Sequence, residues 1–444
     1  MITSAAWRGK RYAVLGLARS GAATVRALVA SGASVVGWDD NEGAQSAVWK
    51  QLKTDRVEIG SEPAFTTKDW VKFPIDLRQF DALIVSPGVP LNRHPIRTKA
   101  ADANVSIIGD IELFAHARAE LPAHKVVGIT GTNGKSTTTA LIHHILGTAG
   151  IPARLGGNIG LPILDQEPLP EGGVYVLELS SYQIDLTQSL DCDVAVLLNI
   201  TPDHLDRYDG FAGYAASKAR LFAMQSKGHA AVIGIGDEAS QDVAKQVSRS
   251  GRAEDLTKIA AGVCLDQSRW PALQGPHNAQ NALAAIAACE ALGVDQASID
   301  RGLETFPGLP HRMERVATRN GVLFVNDSKA TNPTSTAPAL SAFKDIHWIL
   351  GGQAKTNDLD ACRPGFPNVR RAYTIGQAAG LFADLLKDEM PVEQSDTLEA
   401  AVQSAAAQAA AGETVLLSPA CASFDQFKDY EDRGARFRAA VGAL

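Results

Sequence analysis

The sequence predicts an α/β protein of more than one domain, with nucleotide-type sites at the ends of parallel strands. Three observations predict it. Residues 11–38 follow a strand, glycine turn, helix, strand order. The apolar run at 126–129 leads through Thr130-Gly131-Thr132-Asn133-Gly134 into Lys135-Ser136 and helix-compatible sequence to residue 146. In the last third, four apolar runs each end in small and polar residues, the pattern of ligand loops along one edge of a dinucleotide-type sheet. At 444 residues the chain is too long for one ordinary core, so two or three domains are expected.

The first segment opens with a strand at 11–16, the turn Gly16-Leu17-Ala18-Arg19-Ser20-Gly21, an amphipathic helix to Ala30, and a strand ending in Asp39-Asp40. This nearly matches the dinucleotide fingerprint G-x-G-x-x-G, with Ala18 in place of the second glycine and an acidic pair where a ribose-binding acid sits. NAD binding is one reading; another nucleotide's diphosphate at the same helix N-terminus is the other, and the segment alone does not choose. A strand at 82–85 then runs into Ser86-Pro87-Gly88, a loop at a carboxyl edge.

The second segment, about 114–308, carries the phosphate loop. Glycines let the backbone N–H groups at a helix N-terminus approach an anion; Lys135 would reach the β- and γ-phosphates and Ser136 would sit on Mg²⁺. The strict pattern fails, because Ile129 stands where its first glycine belongs, and the plain alternative is a glycine-rich strand-to-helix turn. Strands at 174–179, 194–199 and 230–235 alternate with helices, which argues for a parallel sheet. Glu178 ends an apolar strand, where it is either a metal ligand or a satisfied buried carboxylate. His204 lies between acids in the turn after Asn199, and by itself reads as a loop histidine. Lys218 by itself reads as a solvated lysine on a helix. Asn278 and Asn281 share one face of a helix at 279–292; they suit the edge of a base, or Asn278 caps the helix.

The third segment begins near Leu309-Pro310-His311-Arg312. A strand at 322–326 runs into Asp327-Ser328-Lys329-Ala330-Thr331-Asn332, and one at 347–350 into Gly351-Gly352-Gln353-Ala354-Lys355. A strand at 372–375 ends in Gly376, and one at 414–417 in Ser418-Pro419-Ala420-Cys421-Ala422-Ser423-Phe424. The alanine-rich stretch 401–411 reads as a helix.

Composition narrows the function. Hydrophobic content of 45% and charged content of 20% describe an ordinary globular chain. The net charge of −7, without a basic run, argues against nucleic-acid binding. No apolar run approaches the ~18 residues of a membrane span, and residues 1–11 lack a signal-type apolar stretch. Cys192, Cys264, Cys289, Cys362 and Cys421 are scattered and form no zinc-type pairs. A cytoplasmic protein with reduced thiols and small-molecule substrates is expected.

Taken together, these motifs resemble the ATP-dependent Mur ligases of bacterial peptidoglycan synthesis, over essentially the whole chain and in motif order. The loop Gly131 to Ser136 is shared across that family. The pieces at 309–312, 326–332 and 418–423 are similar to those of its D-glutamate-adding branch. The resemblance implies three domains: a Rossmann-like UDP-substrate domain at 1–113, a central P-loop ATPase domain with a mostly parallel sheet at 114–308, and a Rossmann-like, closing amino-acid domain at 309–444. NAD binding then gives way to the UDP-sugar, with Leu17, Ala18, Arg19, Asp39, Ser86, Gly88 and Asn158 around it. It implies ATP at Gly131, Thr132, Asn133, Gly134, Lys135, Ser136 and Thr137, with Asn278 and Asn281 at adenine, Arg312 at phosphate and Asp327 at ribose. Two Mg²⁺ ions are implied at Ser136, Glu178, His204 and Lys218, the last made an anionic ligand by a CO₂-derived carbamate. Lys135, His204 and Lys218 would be catalytic, and Lys329, Thr331, Lys355, Ser418 and Phe424 would line the D-glutamate pocket. A monomer is implied. Two departures from many members stand at Asp40-Asn41 and Gln353-Ala354.

Overall fold

The computed structural model describes residues 1–39, 41, 43–44, 46–48, 50, 76–260, 262 and 265–444. Asp40 and Cys264 lie outside them. The chain divides into two compact units, one of residues 1–261 and 283–302, the other of 262–282 and 303–444.

The first unit holds two parallel sheets. In the smaller, β1 (Arg11–Leu15), β2 (Ser34–Trp38), β3 (Ala82–Val85) and β4 (Ile107–Ile108) run in the order β2-β1-β3-β4. The strand order reverses beside β1, so the turn into helix α1 (Arg19–Ala30) and the loop after β3 open at the same sheet edge, where ligands of open α/β sheets sit. The fingerprint's departure is sterically harmless. Ala18 has an extended backbone with φ −66°, which any residue adopts. Gly16 is at φ +86°, and a Cβ on Gly21 would lie 1.7 Å from the Gly16 carbonyl oxygen, so the two glycines that matter are present.

The larger sheet has the order β10-β9-β8-β5-β7-β6, built from β5 (His124–Thr130), β6 (Ala153–Gly157), β7 (Gly173–Glu178), β8 (Val194–Leu197), β9 (Ala230–Gly234) and β10 (Leu256–Ile259). β7 and β8 are buried along their whole length, which is why they read as continuous apolar runs. β5 lies centrally, between β7 and β8, so its loop faces the ends of both. One hydrophobic core joins the two sheets: Leu17 and Leu28 pack in the same cluster as Ile163, Leu177 and Leu197. Arg26, on α1, pairs with Asp165 across this join.

The second unit has a six-stranded sheet of order β11-β12-β16-β13-β14-β15. Its strands are β11 (Glu314–Arg319), β12 (Val322–Asn326), β13 (Ile346–Gly351), β14 (Val369–Ile375), β15 (Val392–Asp396) and β16 (Thr414–Leu417). All pairs are parallel except edge strand β11 on β12. β16 returns between β12 and β13, and their three loops share one edge. The expected α/β class with three parallel-type sheets is what forms.

The short strands β4, β6, β10, β11 and β15 were not expected from the sequence: they are brief, partly exposed or mixed in character. The alanine-rich helix spans Leu398–Gln408, and the asparagine-bearing helix starts earlier than read, at Pro276. Among the described residues, no helix is long and apolar enough to cross a membrane. Cys192, Cys289, Cys362 and Cys421 are free and buried.

Candidate functional site

In the first unit, the N-terminal turn forms one wall of a cleft of about 430 Å³. Ala18, Arg19, Asp39, Ser86, Gly88 and Asn158 all line it. α1 carries no side-chain cap, so its first-turn amides are available to an anion. Ser86 Oγ donates to the Gly16 carbonyl at 2.7 Å, binding the two loops together. Arg19 donates to the Gly160 carbonyl from across the cleft. Leu17 differs from the sequence reading: its side chain is buried in the core, and its amide donates to Asp39 Oδ2 at 2.6 Å. Asp39 thus braces the turn with a carboxylate oxygen.

The phosphate-type loop joins β5 to helix α2 (Lys135–Thr148), with Gly134 at the helix start at φ +86°. Its shape is fixed by the segment after β8. The Thr132 amide donates to Asn199 O at 2.9 Å, Asn133 N to Asn199 Oδ1 at 2.9 Å, and Thr132 Oγ1 to Thr201 O at 3.0 Å. Ser136 is buried in the first turn and Thr137 is half-buried. Lys135 Nζ turns back onto the carbonyls of Gly131 and Thr132, both at 2.8 Å.

Lys218 overturns its plain reading. It lies on helix α3 (Gly210–Ala223) but is only 1% exposed, and its Nζ donates to the same Gly131 carbonyl at 2.9 Å. It sits 4.7 Å from the Tyr214 ring centroid, and Tyr214 OH is 3.1 Å from Thr132 Oγ1. Burial, and then the neighbouring charge of Lys135, push the Lys218 ammonium well below its ordinary pKa, against the opposing pull of Asp203, Asp185 and Glu178.

Glu178 is buried at the end of β7. Its Oε1 accepts from Asn158 Nδ2 at 2.8 Å, while Oε2 is buried with no protein partner. The reading of a satisfied carboxylate is therefore only half met. A carboxylate oxygen sealed from water without a donor suits a hard cation of the Mg²⁺ kind, which takes oxygen ligands. His204 is about half exposed at φ +51°; its Nε2 lies 3.5 Å from Asp203 Oδ2 and its ring 5.3 Å from that of Tyr182. Among the described residues, His204 forms no hydrogen bond or ion pair with Lys218 or Glu178, and no cluster of three or more His, Cys, Asp or Glu forms a metal cage.

In the second unit, Asn281 Nδ2 donates to Asn278 Oδ1 at 3.1 Å, so the paired amides form as a pair. The helix starts at Pro276, so Asn278 is inside its first turn and is not its cap. Asp327, after β12, accepts from Ser418 Oγ at 2.7 Å and Met313 N at 3.1 Å. Burial raises its carboxyl to about 7, against those donors and the charges of Arg312 and Arg433. Ser418 is therefore turned inward to Asp327. Lys329 Nζ lies 3.7 Å from the Tyr430 ring centroid, and Lys355 Nζ lies 3.5 Å from Thr331 Oγ1. Phe424 is 70% exposed. Gln353, at the second departure, pairs its backbone with Ala422 at 2.9 and 3.0 Å, which ties the β13 and β16 loops.

Sequence reasoning missed the residues that hold these loops. Arg433 is fully buried and donates to Ser328 O at 2.8 Å and Cys421 O at 3.1 Å, bracing two strand-end loops. The available signal was the Arg433-Gly434 pair inside a helix: a Cβ on Gly434 would lie 2.0 Å from His311 Nδ1. Tyr182, Arg207 and Tyr214 carried no comparable signal.

Comparisons with known proteins place the chain in a family. Residues 129–262 match the Mur ligase middle domain, and residues 311–421 the Mur ligase glutamate ligase domain. The chain is 60% identical to a protein of Sphingopyxis alaskensis over 100% of both chains. It is 59% identical to one of Novosphingobium aromaticivorans, over 100% of this chain and 97% of that one. Both are named UDP-N-acetylmuramoylalanine–D-glutamate ligase. Among solved structures, a UDP-N-acetylmuramate–alanine ligase of Thermotoga maritima shares the fold at TM-score 0.59 and 16% identity, over 98% of this chain and 99% of that one. E. coli FolC, solved with DHPP and ADP, shares it at TM-score 0.54 and 19% identity, over 76% of this chain and 93% of that one. The chain belongs to the Mur ligase family, in the branch of UDP-N-acetylmuramoylalanine–D-glutamate ligases.

Proposed function

We infer that the protein is an ATP-dependent ligase that adds D-glutamate to UDP-N-acetylmuramoyl-L-alanine in peptidoglycan precursor synthesis. What carries the reading is the convergence of Lys135 and Lys218 on the Gly131 carbonyl, together with the unpartnered oxygen of Glu178 at the end of the neighbouring strand β7, in a chain that matches D-glutamate ligases end to end.

The substrate's L-alanyl carboxylate attacks the γ-phosphorus of ATP, giving an acyl phosphate and ADP. The D-glutamate amine attacks the acyl carbon, and phosphate leaves as the amide forms. Two anions must meet, so catalysis is mainly positioning and charge neutralisation. The first-turn amides of α1, Arg19 and Asn158 hold the UDP-sugar. The Gly131–Ser136 loop cradles the ATP phosphates, and Lys135 leaves its two carbonyls to stabilise the transferring phosphoryl group. Ser136, Glu178, His204 and Lys218 would hold Mg²⁺ at two sites; the ions supply charge neutralisation on the phosphate oxygens. A lysine ammonium cannot hold a cation, but burial favours the neutral Lys218 amine, the form that adds CO₂ to give a carbamate. Asn278 and Asn281 would read adenine, Asp327 the ribose, and Arg312 a phosphate. Lys329, Thr331, Lys355, Ser418 and Phe424 would form the D-glutamate pocket; Ser418 would act through Asp327, and Lys355 would pair with a carboxylate. Domains at 1–113, 114–308 and 309–444, a monomeric state and a cytoplasmic location belong to the same reading.

The test is phosphate release from ATP and Mg²⁺ with UDP-N-acetylmuramoyl-L-alanine, offering D-glutamate, L-glutamate, D-aspartate and a diamino acid in turn. Turnover with D-glutamate alone is expected. Turnover with a different amino acid reassigns the second-unit pocket, and none with any of them removes the ligase assignment.

A further inference from the structure

Arg207 is built into both the N-terminal cleft and the turn that bears His204. Its guanidinium donates to three successive carbonyls of the loop after β3: Pro87 at 3.3 Å, Gly88 at 3.4 Å and Val89 at 2.8 Å. Those same three residues line the cleft. On its other side the guanidinium lies 4.2 Å from the centroid of the Tyr182 ring, which also packs against His204. The Arg207 amide donates to His204 O at 2.9 Å, closing the short 3₁₀ turn Leu205–Arg207. Asn92 and Arg93 donate to the Asp206 carbonyl at 2.9 and 3.1 Å, so the turn is gripped from the N-terminal side at two points.

A turn held this way takes its position from the loop it grips. His204 adopts a left-handed backbone, φ +51°, which is uncommon outside glycine. A lysine could not reproduce the grip. Only a planar fork serves several carbonyls while presenting its face to an aromatic ring.

We propose that Arg207 is a positioning residue that couples the 86–89 loop to the His204 turn, so that binding of the UDP-sugar in the N-terminal cleft sets the placement of His204 for phosphoryl transfer. The proposal rests on the reading of that cleft and of His204 given above. In the chain of contacts, ligand against Gly88 acts on Arg207, Arg207 on Tyr182 and on the turn, and both on His204.

Steady-state kinetics of the full chain test it, with thermal unfolding of each variant as a check on folding. Arg207→Ala is expected to lower kcat about tenfold, the scale of a lost charge-assisted contact, with the KM for ATP little changed. Guanidinium ion at millimolar concentration should restore part of the loss in Arg207→Ala and none in Arg207→Lys. In a His204→Ala background, Arg207→Ala should cost nothing further. An unchanged kcat in either folded variant, or losses that multiply in the double variant, would overturn the proposal. If Arg207→Ala does not fold, Arg207→Lys, which keeps the charge and most of the bulk, decides by the same criteria. Absence of turnover in the unaltered protein overturns the functional reading and this inference with it. Turnover that the Arg207 variants leave unchanged overturns the inference alone.

Discussion

Glu178→Gln separates a structural carboxylate from one kept for a cation. The side chain is 2% exposed, with Oε1 on Asn158 Nδ2 at 2.8 Å and Oε2 without a partner. Glutamine preserves the shape and the Asn158 bond but removes the charge. A buried polar group without a partner costs about 1–3 kcal/mol, and more when charged. The neutral amide should therefore leave metal-free stability within about 1 kcal/mol of the original, or above it. The metal response should change far more. A ligand at a hundred times its dissociation constant stabilises the folded state by about 2.7 kcal/mol, or several degrees in Tm for a domain of this size. The assay is thermal unfolding with and without MgCl₂, alongside phosphate release. The expected outcome is a magnesium-dependent rise in Tm for the unaltered protein, little or none for Glu178→Gln, and a loss of turnover of about a hundredfold or more. If the variant keeps the full magnesium response, or loses about 3 kcal/mol without magnesium while turning over normally, Glu178 is a structural acid and the metal reading fails.

Lys218→Ala should abolish most turnover, with partial return in added formate or acetate; turnover of the unaltered protein should fall in CO₂-stripped buffer, more so at lower pH, and recover with bicarbonate. Gly157→Ala should cost about 2 kcal/mol or more in thermal unfolding and weaken UDP-sugar binding, since Gly157 is at φ +89° and an added Cβ would lie 2.1 Å from the Glu178 carbonyl oxygen. His277 is held neutral by burial, at about 4 against 6.5 when unfolded, so between those values the unfolded chain binds the extra proton. Stability is full above about 6.5 and falls as pH drops toward 4, by about 3 kcal/mol, and His277→Phe should flatten that slope in urea unfolding.

The sheets were legible because their strands are buried on both faces. Val194–Leu197 and Thr414–Leu417 contain apolar residues almost without a break, and parallel pairing asks for that. The phosphate-type loop was legible despite Ile129, since only Gly131 and Gly134 have backbone angles that require glycine. Lys218 was not legible from its own neighbourhood. Ala-Ser-Lys-Ala-Arg on a helix looks solvated, and its burial follows from packing, beside Tyr214 one turn earlier, against the β5 loop 87 residues away; only the family resemblance marked it. Arg207 and Arg433 escaped for a related reason. Each acts through carbonyls of distant loops, and backbone carbonyls leave no trace in residue identity. Leu17 was expected to face a diphosphate from its place in the turn; its side chain is buried and its amide is taken by Asp39, 22 residues on, which the local pattern does not show.

Three groups in this molecule are held in states that folding alone does not favour. Lys218 is buried with its ammonium disfavoured, Glu178 keeps a desolvated oxygen without a donor, and Asp327 is buried with its carboxyl raised to about 7. Apolar or neutral residues of similar size would be cheaper at each position. All three stand at or beside the carboxyl ends of parallel strands, Glu178 closing β7, Asp327 following β12, and Lys218 against the loop after β5. Such ends are where the backbone offers amides and room but little apolar cover. A sheet that only had to be stable would fill these ends with the Val, Ile and Leu found inside the same strands. Strain at these strand ends, while Val176 and Val325 within the same strands are buried and apolar, is what is expected of groups kept for ligands. Glu178 becomes favourable only when a cation arrives, so magnesium should raise the unfolding temperature on its own, and Glu178→Gln should remove that contribution while leaving that of the UDP-sugar, which other residues hold.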